Sequence, residues 1–156
     1  MRPSPPPRHL IIISELAALG KREVLRELSA EAVGRISSLN VEKLCADLEA
    51  REDLGSTGIG DGVAIPHAKV PGLTEVVVIL GRSSKGINFG ARDGRPVHLF
   101  LALLTPAASS TPYLKLLADN VRFLEDPKVR SRLLQAENHK ELEDILRELT
   151  PCSGAE

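Results

Sequence analysis

Three short apolar runs constrain any fold of this 156-residue chain: Leu10–Ile13, Val76–Leu80 and Leu99–Leu104. Each has the length of a strand and none alternates with polar residues, the pattern of strands buried on both faces. None approaches the ~20 residues that a membrane helix needs. The strands expected from them are "LIIISELA" over residues 10–17, "EVVVILGRS" and "VHLFLALLTP", with a shorter "VAIP" between the first two. Turn signals separate them, at Pro71-Gly72 and at Asp93-Gly94.

Strands buried on both faces need helices above and below them. "GKREVLRELSAEAVGR" places Val24, Leu25, Leu28 and Val33 near helical spacing, with Gly34 as its stop. A second helix starts at the cap Asn40, carries Val41, Leu44, Cys45 and Leu48 on one face, and runs through "EAREDL" to Gly55. The end of the chain is helical. Thr111-Pro112 and Asp126-Pro127 are cap-and-proline starts, and Asn138 with Glu141 resembles a capping box. The expected architecture is α/β: a single-domain mixed β-sheet flanked by helices, with a helical C-terminal third. Residues 1–8 read as a proline-rich tail, 9–149 as the domain and 150–156 as a polar tail.

Formal net charge is −1, which gives no electrostatic footprint for nucleic acid or an anionic membrane. Aromatic residues make up only 3% of the chain, so the core is aliphatic. Cys45 and Cys152 offer neither a disulfide framework nor a metal spacing, which fits a reducing, cytoplasmic setting.

The chemistry concentrates in "GSTGIGDGVAIPHAKV", Gly55 to Val70. Four readings compete. A dinucleotide loop should follow a strand and open a helix, whereas this one follows a helix and opens a strand. A metal site finds no support in the spacing of His9, His67, His98 and His139. A hydrolase triad of Ser56, His67 and Asp61 or Asp93 lacks the Gly-x-Ser-x-Gly elbow. The fourth makes His67 itself the reactive group: a neutral imidazole is a good nucleophile near pH 7 and can hold a transferable phosphoryl group. Pro66 restrains the backbone before the ring, the glycines allow backbone N–H groups close to an anion, and Arg51 can supply a guanidinium. This chemistry needs no metal and no organic cofactor. The plain alternative is a hydrogen-bonded structural histidine at a strand end. His98, in "PVHLF", is read as that kind of packed residue.

"REDLGSTGIGDGVAIPHA" resembles the signature of the type-2 enzyme IIA domains of the bacterial phosphoenolpyruvate-dependent phosphotransferase system, which cover the fructose, mannitol and nitrogen-regulatory branches. "GINFGARDGRPVHLFLALLTP" and the helical end resemble the family's later blocks, so the likeness spans about residues 9–149. The resemblance implies that His67 accepts a phosphoryl group on Nε2 from a phosphohistidine carrier, HPr or its nitrogen-branch relative. It implies that Arg51 supports the site; the chemical reading adds backbone groups of Ser56, Thr57, Gly58 and Gly60 as a phosphate loop and Pro66 as the residue that positions the ring. One position departs from the family: Tyr113 stands where a second histidine is usual, and a phenol can donate a hydrogen bond but cannot carry positive charge. The free-standing domain, without a IIB-like cysteine segment or a membrane span, reads as a nitrogen-regulatory type whose phosphorylation state controls binding to a target protein. The alternatives are a fructose- or mannitol-type IIA that passes its phosphoryl group to a IIB domain, and a binding module that has lost phosphotransfer.

Overall fold

The computed structural model describes residues 9–107 and 111–149, with backbone alone at 111–114, 116, 148 and 149. In chain order the elements are β1 (His9–Ile13), α1 (Lys21–Arg35), α2 (Val41–Asp53), β2 (Gly58–Gly60), β3 (Val63–Ala64), β4 (His67–Val70), β5 (Val77–Ile87), β6 (Val97–Pro106), α3 (Thr111–Leu124), α4 (Pro127–Gln135) and α5 (His139–Leu149). The strands form one mixed sheet in the order β1-β5-β6-β3-β2, with β4 also paired to β6.

β6 is the spine of this sheet. Along one edge it pairs antiparallel with β5, from Val77↔Leu104 to Ile87↔Val97. Its other edge is shared: β3 runs parallel to its start, Ala64↔Phe100, and β4 runs parallel to its end, His67↔Leu103. Ile65 and Pro66 bridge the two short strands, and the Pro66 carbonyl accepts the Leu103 N–H at 2.9 Å. Pro66 has no N–H to donate, so it gives this ladder its carbonyl alone.

The unbroken apolar runs are explained by burial on both sides. Ile79, Phe100, Ala102 and Leu104 face α1 and α2, where they meet Val24, Leu25, Leu28, Leu44 and Leu48. Val78, Leu80, Leu101 and Leu103 face the C-terminal helices and meet Leu124, Leu133, Leu142 and Leu146. Neighbours in one strand alternate between the two clusters, so both phases of the pleat are apolar.

Local signals act as expected at several ends. The Asn40 side chain accepts the Lys43 N–H at 2.9 Å, and Asp126 accepts from Lys128 N at 2.9 Å ahead of Pro127. Asn138 accepts the Glu141 N–H at 2.9 Å. The Thr111-Pro112 start falls on residues whose side chains lie outside those described. Three boundaries differ. α1 passes through Gly34 to Arg35, because Gly34 is not among the left-handed glycines and so does not end the helix. β1 stops at Ile13 rather than reaching Ala17: Ser14 gives its carbonyl to the Arg82 side chain instead of continuing the ladder. β5 runs on to Ile87 through an irregularity in its register with β6.

Candidate functional site

α2 and β4 meet at one corner of the sheet, and there the last turn of the helix presents Arg51 to His67. The Arg51 Nε–H donates to His67 Nε2 at 3.0 Å, and Arg51 Nη1 donates to the Gly55 carbonyl at 2.9 Å. On its other side, His67 Nδ1 lies 2.9 Å from the Ile65 carbonyl oxygen. A carbonyl only accepts and a guanidinium only donates. Nδ1 therefore carries the proton, and Nε2 presents its lone pair to Arg51. The two bonds fix both the tautomer and the orientation of the ring.

His67 is only 8% exposed. Burial holds its pKa below the ordinary 6.5, and the Arg51 charge pushes it the same way; the Ile65 bond and the Glu52 charge oppose them. The ring is neutral at neutral pH. It opens onto a cleft of about 440 Å³ lined by Asp47, Ala50, Arg51, Leu54, Ala68 and Lys69 beside His67 itself. Leu54, the residue that ends α2, stands at the rim with 85% of its surface exposed.

The glycine loop makes several hydrogen bonds of its own. The Thr57 N–H donates to Glu52 Oε1 at 3.0 Å, and the Gly58 N–H donates to Ser56 Oγ at 3.0 Å. The Asp61 N–H is held by Asp93 Oδ2 at 3.0 Å. None of Ser56, Thr57, Gly58 and Gly60 lines the cleft that holds His67. The Thr57 and Gly58 amides are here taken up in folding the loop onto α2 and onto itself. Gly58 is required for close approach, since a Cβ there would stand 2.8 Å from Ala91 Cβ.

The structure thus joins His67 to Arg51 and Ile65, while the Thr57, Gly58 and Asp61 amides bond within the loop and its neighbours. Pro66 is buried between β3 and β4 and delivers the ring to the head of β4. Tyr113 lies in the first turns of α3, and its side chain is outside the described residues. The triad reading is not assembled: Ser56 Oγ serves Gly58, and Asp93 serves Asp61 and Arg95. Among the described residues no group of three or more His, Cys, Asp or Glu is placed to hold a metal. His98 is half-buried with Nδ1 2.9 Å from the Ser83 carbonyl, the packed place expected for it.

Two participants escaped the sequence reading. The Ile65 carbonyl is a backbone group, and nothing in its side chain marks it. Glu52 was visible beside Arg51 in the motif, but only the fold shows that its carboxylate is buried.

The family model for the phosphoenolpyruvate-dependent sugar phosphotransferase system, EIIA 2, matches residues 7–149. The chain is 37% identical over 145 residues to the PTS system fructose-specific EIIA component of Haloferax volcanii, covering 92% of each. It is 33% identical over 144 residues to the nitrogen regulatory protein of Bradyrhizobium diazoefficiens, covering 92% of this chain and 93% of that one. The crystal structure of the nitrogen regulatory protein IIA-Ntr from Neisseria meningitidis superposes with a TM-score of 0.80 at 30% identity, covering 88% of this chain and 92% of that one.

Proposed function

Because this chain belongs to the EIIA type-2 family of the phosphoenolpyruvate-dependent sugar phosphotransferase system, we propose that it is a phosphocarrier whose acceptor is His67 Nε2. The observation that carries this reading is the grip on the imidazole: Nδ1–H fixed on Ile65 O, with the Nε2 lone pair on the side that faces Arg51 and the cleft.

In the transfer, the Nε2 lone pair attacks phosphorus in line with the bond to the donor's imidazole nitrogen. The Nε2–P bond forms as the donor N–P bond breaks, and the donor imidazole keeps that bonding pair. The Nδ1 proton stays on the His67 ring, held by Ile65. Arg51 Nε–H gives up Nε2 as phosphorus approaches and turns to the phosphoryl oxygens, whose charge it is placed to meet. Positioning supplies the catalysis, since both reacting groups arrive already formed.

The donor in this reading is a phosphohistidine carrier of the HPr type, docking over the Leu54 rim. Phosphorylation adds about −1.5 to −2 charges beside that rim, so a partner that packs on it while His67 is neutral is released when His67 is charged. That is a regulator's behaviour, in keeping with the likeness to nitrogen regulatory proteins. The likeness to a fructose-specific EIIA component supports the second reading, in which the acceptor is a IIB domain.

The test mixes the protein with phosphoenolpyruvate, enzyme I and an HPr-type carrier, and reads intact mass. One acid-labile phosphoryl group on the wild type and none on His67→Ala is the expected result. No uptake by the wild type from either the sugar or the nitrogen-branch carrier would overturn the phosphocarrier reading and leave a binding module. Mixing the phosphorylated protein with a fructose-class IIB then separates the branches: retained phosphate supports the regulator, and transfer supports the sugar component.

A further inference from the structure

Glu52 follows Arg51 directly in the last turn of α2, and the ~100° step between helical neighbours sends the two side chains different ways. Arg51 reaches the cleft. The Glu52 side chain turns inward and keeps only 3% of its surface. An ionised carboxylate at that depth needs partners on both oxygens. Oε1 accepts from Thr57 N at 3.0 Å and from Thr57 Oγ1 at 2.6 Å, while Oε2 pairs with Lys21 Nζ at 3.0 Å. Lys21 is the first residue of α1, and its ammonium also stands 5.1 Å over the ring of Phe89, itself fully buried. Burial alone would raise the Glu52 pKa, but the bonds from Thr57, Ser56 and Lys21 outweigh it and hold the pKa below the ordinary 4.5.

These bonds do not end at the loop. The Thr57 carbonyl accepts the Ile65 N–H at 2.9 Å, and the Ile65 carbonyl accepts from His67 Nδ1 at 2.9 Å. One continuous path runs from Lys21 through Glu52, Thr57 and Ile65 to the far nitrogen of the acceptor ring. Adjacent residues of α2 therefore grip the imidazole at both ends: Arg51 directly at Nε2, and Glu52 through the backbones of Thr57 and Ile65 at Nδ1.

We propose that Glu52 is a positioning residue for phosphoryl transfer at His67, with Lys21 as the counter-ion that holds it in place. Neither touches the reacting atoms. Their effect is to keep the Ile65 carbonyl where it selects the Nδ1–H tautomer and aims Nε2 at the cleft. The kinetic part of this inference rests on the phosphocarrier reading; the tautomer part does not.

The experiment uses Lys21→Met, Lys21→Arg, Thr57→Val and Glu52→Gln in the full chain. The Lys21 side chain is 37% exposed and Lys21→Arg keeps the charge, so these variants disturb packing least, and circular dichroism establishes the fold of each before it is read. Nitrogen-15 NMR of the His67 ring is read first, without any phosphoryl donor. The wild type should show the Nδ1–H form, and Lys21→Met and Thr57→Val a mixture of tautomers. Loss of outer partners costs a metal-bound imidazole about 10–100-fold in affinity or activity, and the same order of loss is expected in the maximal rate of transfer from the HPr-type carrier. KM for that carrier should hold, because the cleft rim is untouched, and Lys21→Arg should restore the rate. If Lys21→Met and Thr57→Val are folded yet keep the wild-type tautomer and rate, the proposal is wrong. If the wild type takes no phosphoryl group, the phosphocarrier reading fails, and the tautomer measurement alone decides the positioning role.

Discussion

Two corners of this sheet each hold a histidine in the same way. His67 at the head of β4 and His98 near the start of β6 both place Nδ1 2.9 Å from a backbone carbonyl, Ile65 in one case and Ser83 in the other. Both corners also carry an arginine. Arg51 spends its Nε on the His67 ring, whereas Arg82, beside the His98 corner, spends Nε on the Ser14 carbonyl and Nη1 on the carbonyls of Leu133 and Ala136 at the end of α4. One arginine faces the imidazole nitrogen proposed as the acceptor; the other ties a strand to the end of a helix. A tethered imidazole is therefore an ordinary piece of folding, and the second nitrogen decides whether it is a site. At His67 that nitrogen meets a cation and a cleft. His98 also borders a cleft, of about 400 Å³, with Glu15, Arg82 and Leu134, but there the arginine is spent on backbone carbonyls and the Nε2 edge lies close over Gly86.

The sharpest way to break the comparison is to remove each ring in turn. His67→Ala should abolish phosphoryl uptake, and His98→Ala should leave it unchanged, both read by intact mass after exposure to the phosphorylated carrier. Uptake that survived the first change and not the second would transfer the site to the other corner. Next in size is Arg51→Met. Loss of a single preorganised donor to developing charge costs about 10²–10³ in rate, and single-turnover transfer should slow by that order while the fold, monitored by circular dichroism, is retained.

Gly86→Ala perturbs only the structural corner. Gly86 has φ of 85°, and a Cβ there would stand 2.8 Å from His98 Cε1 and 2.9 Å from Pro96 Cβ. Left-handed strain of this kind costs about 1–3 kcal/mol, and the clash adds to it. Chemical denaturation should show that loss of stability, with the transfer rate of the folded fraction unchanged. A parallel fall in rate would mean that the two corners are coupled through β6.

The contrast also explains what could be read from the residues. Apolar runs and caps act locally, so the buried strands β5 and β6 and the caps Asn40 and Asp126 were legible at once. Gly34 misled because glycine permits a left-handed end without requiring one. β4 was invisible for a different reason: His67–Val70 has no strand signature of its own, and its place comes from pairing with β6 more than thirty residues later. At the site, His67, Arg51 and Pro66 stood in a motif of recognisable order. Whether Thr57 and Gly58 turn their amides outward or inward depends on where the Glu52 carboxylate and the Ser56 hydroxyl lie, and only the folded chain fixes that.

The smallest expected effect separates the electrostatics of the site from its geometry. In the proposed transfer the nucleophile is the neutral ring, and the His67 pKa lies below 6.5, with burial the first cause and Arg51 a further one. The maximal transfer rate should therefore be flat above pH 6.5 and fall only in the acid range below it. The same shift bears on folding: the unfolded chain binds this proton more readily than the native one, so the contribution of His67 to stability is complete above pH 6.5 and declines as the pH drops toward the folded value. Arg51→Met removes one of the two effects that depress the pKa and leaves the ring buried. Its acid limb should move upward toward 6.5 without reaching it, read by NMR titration of the His67 ring. A limb that does not move would mean that burial alone sets the titration, and that Arg51 acts on the phosphoryl group rather than on the resting imidazole.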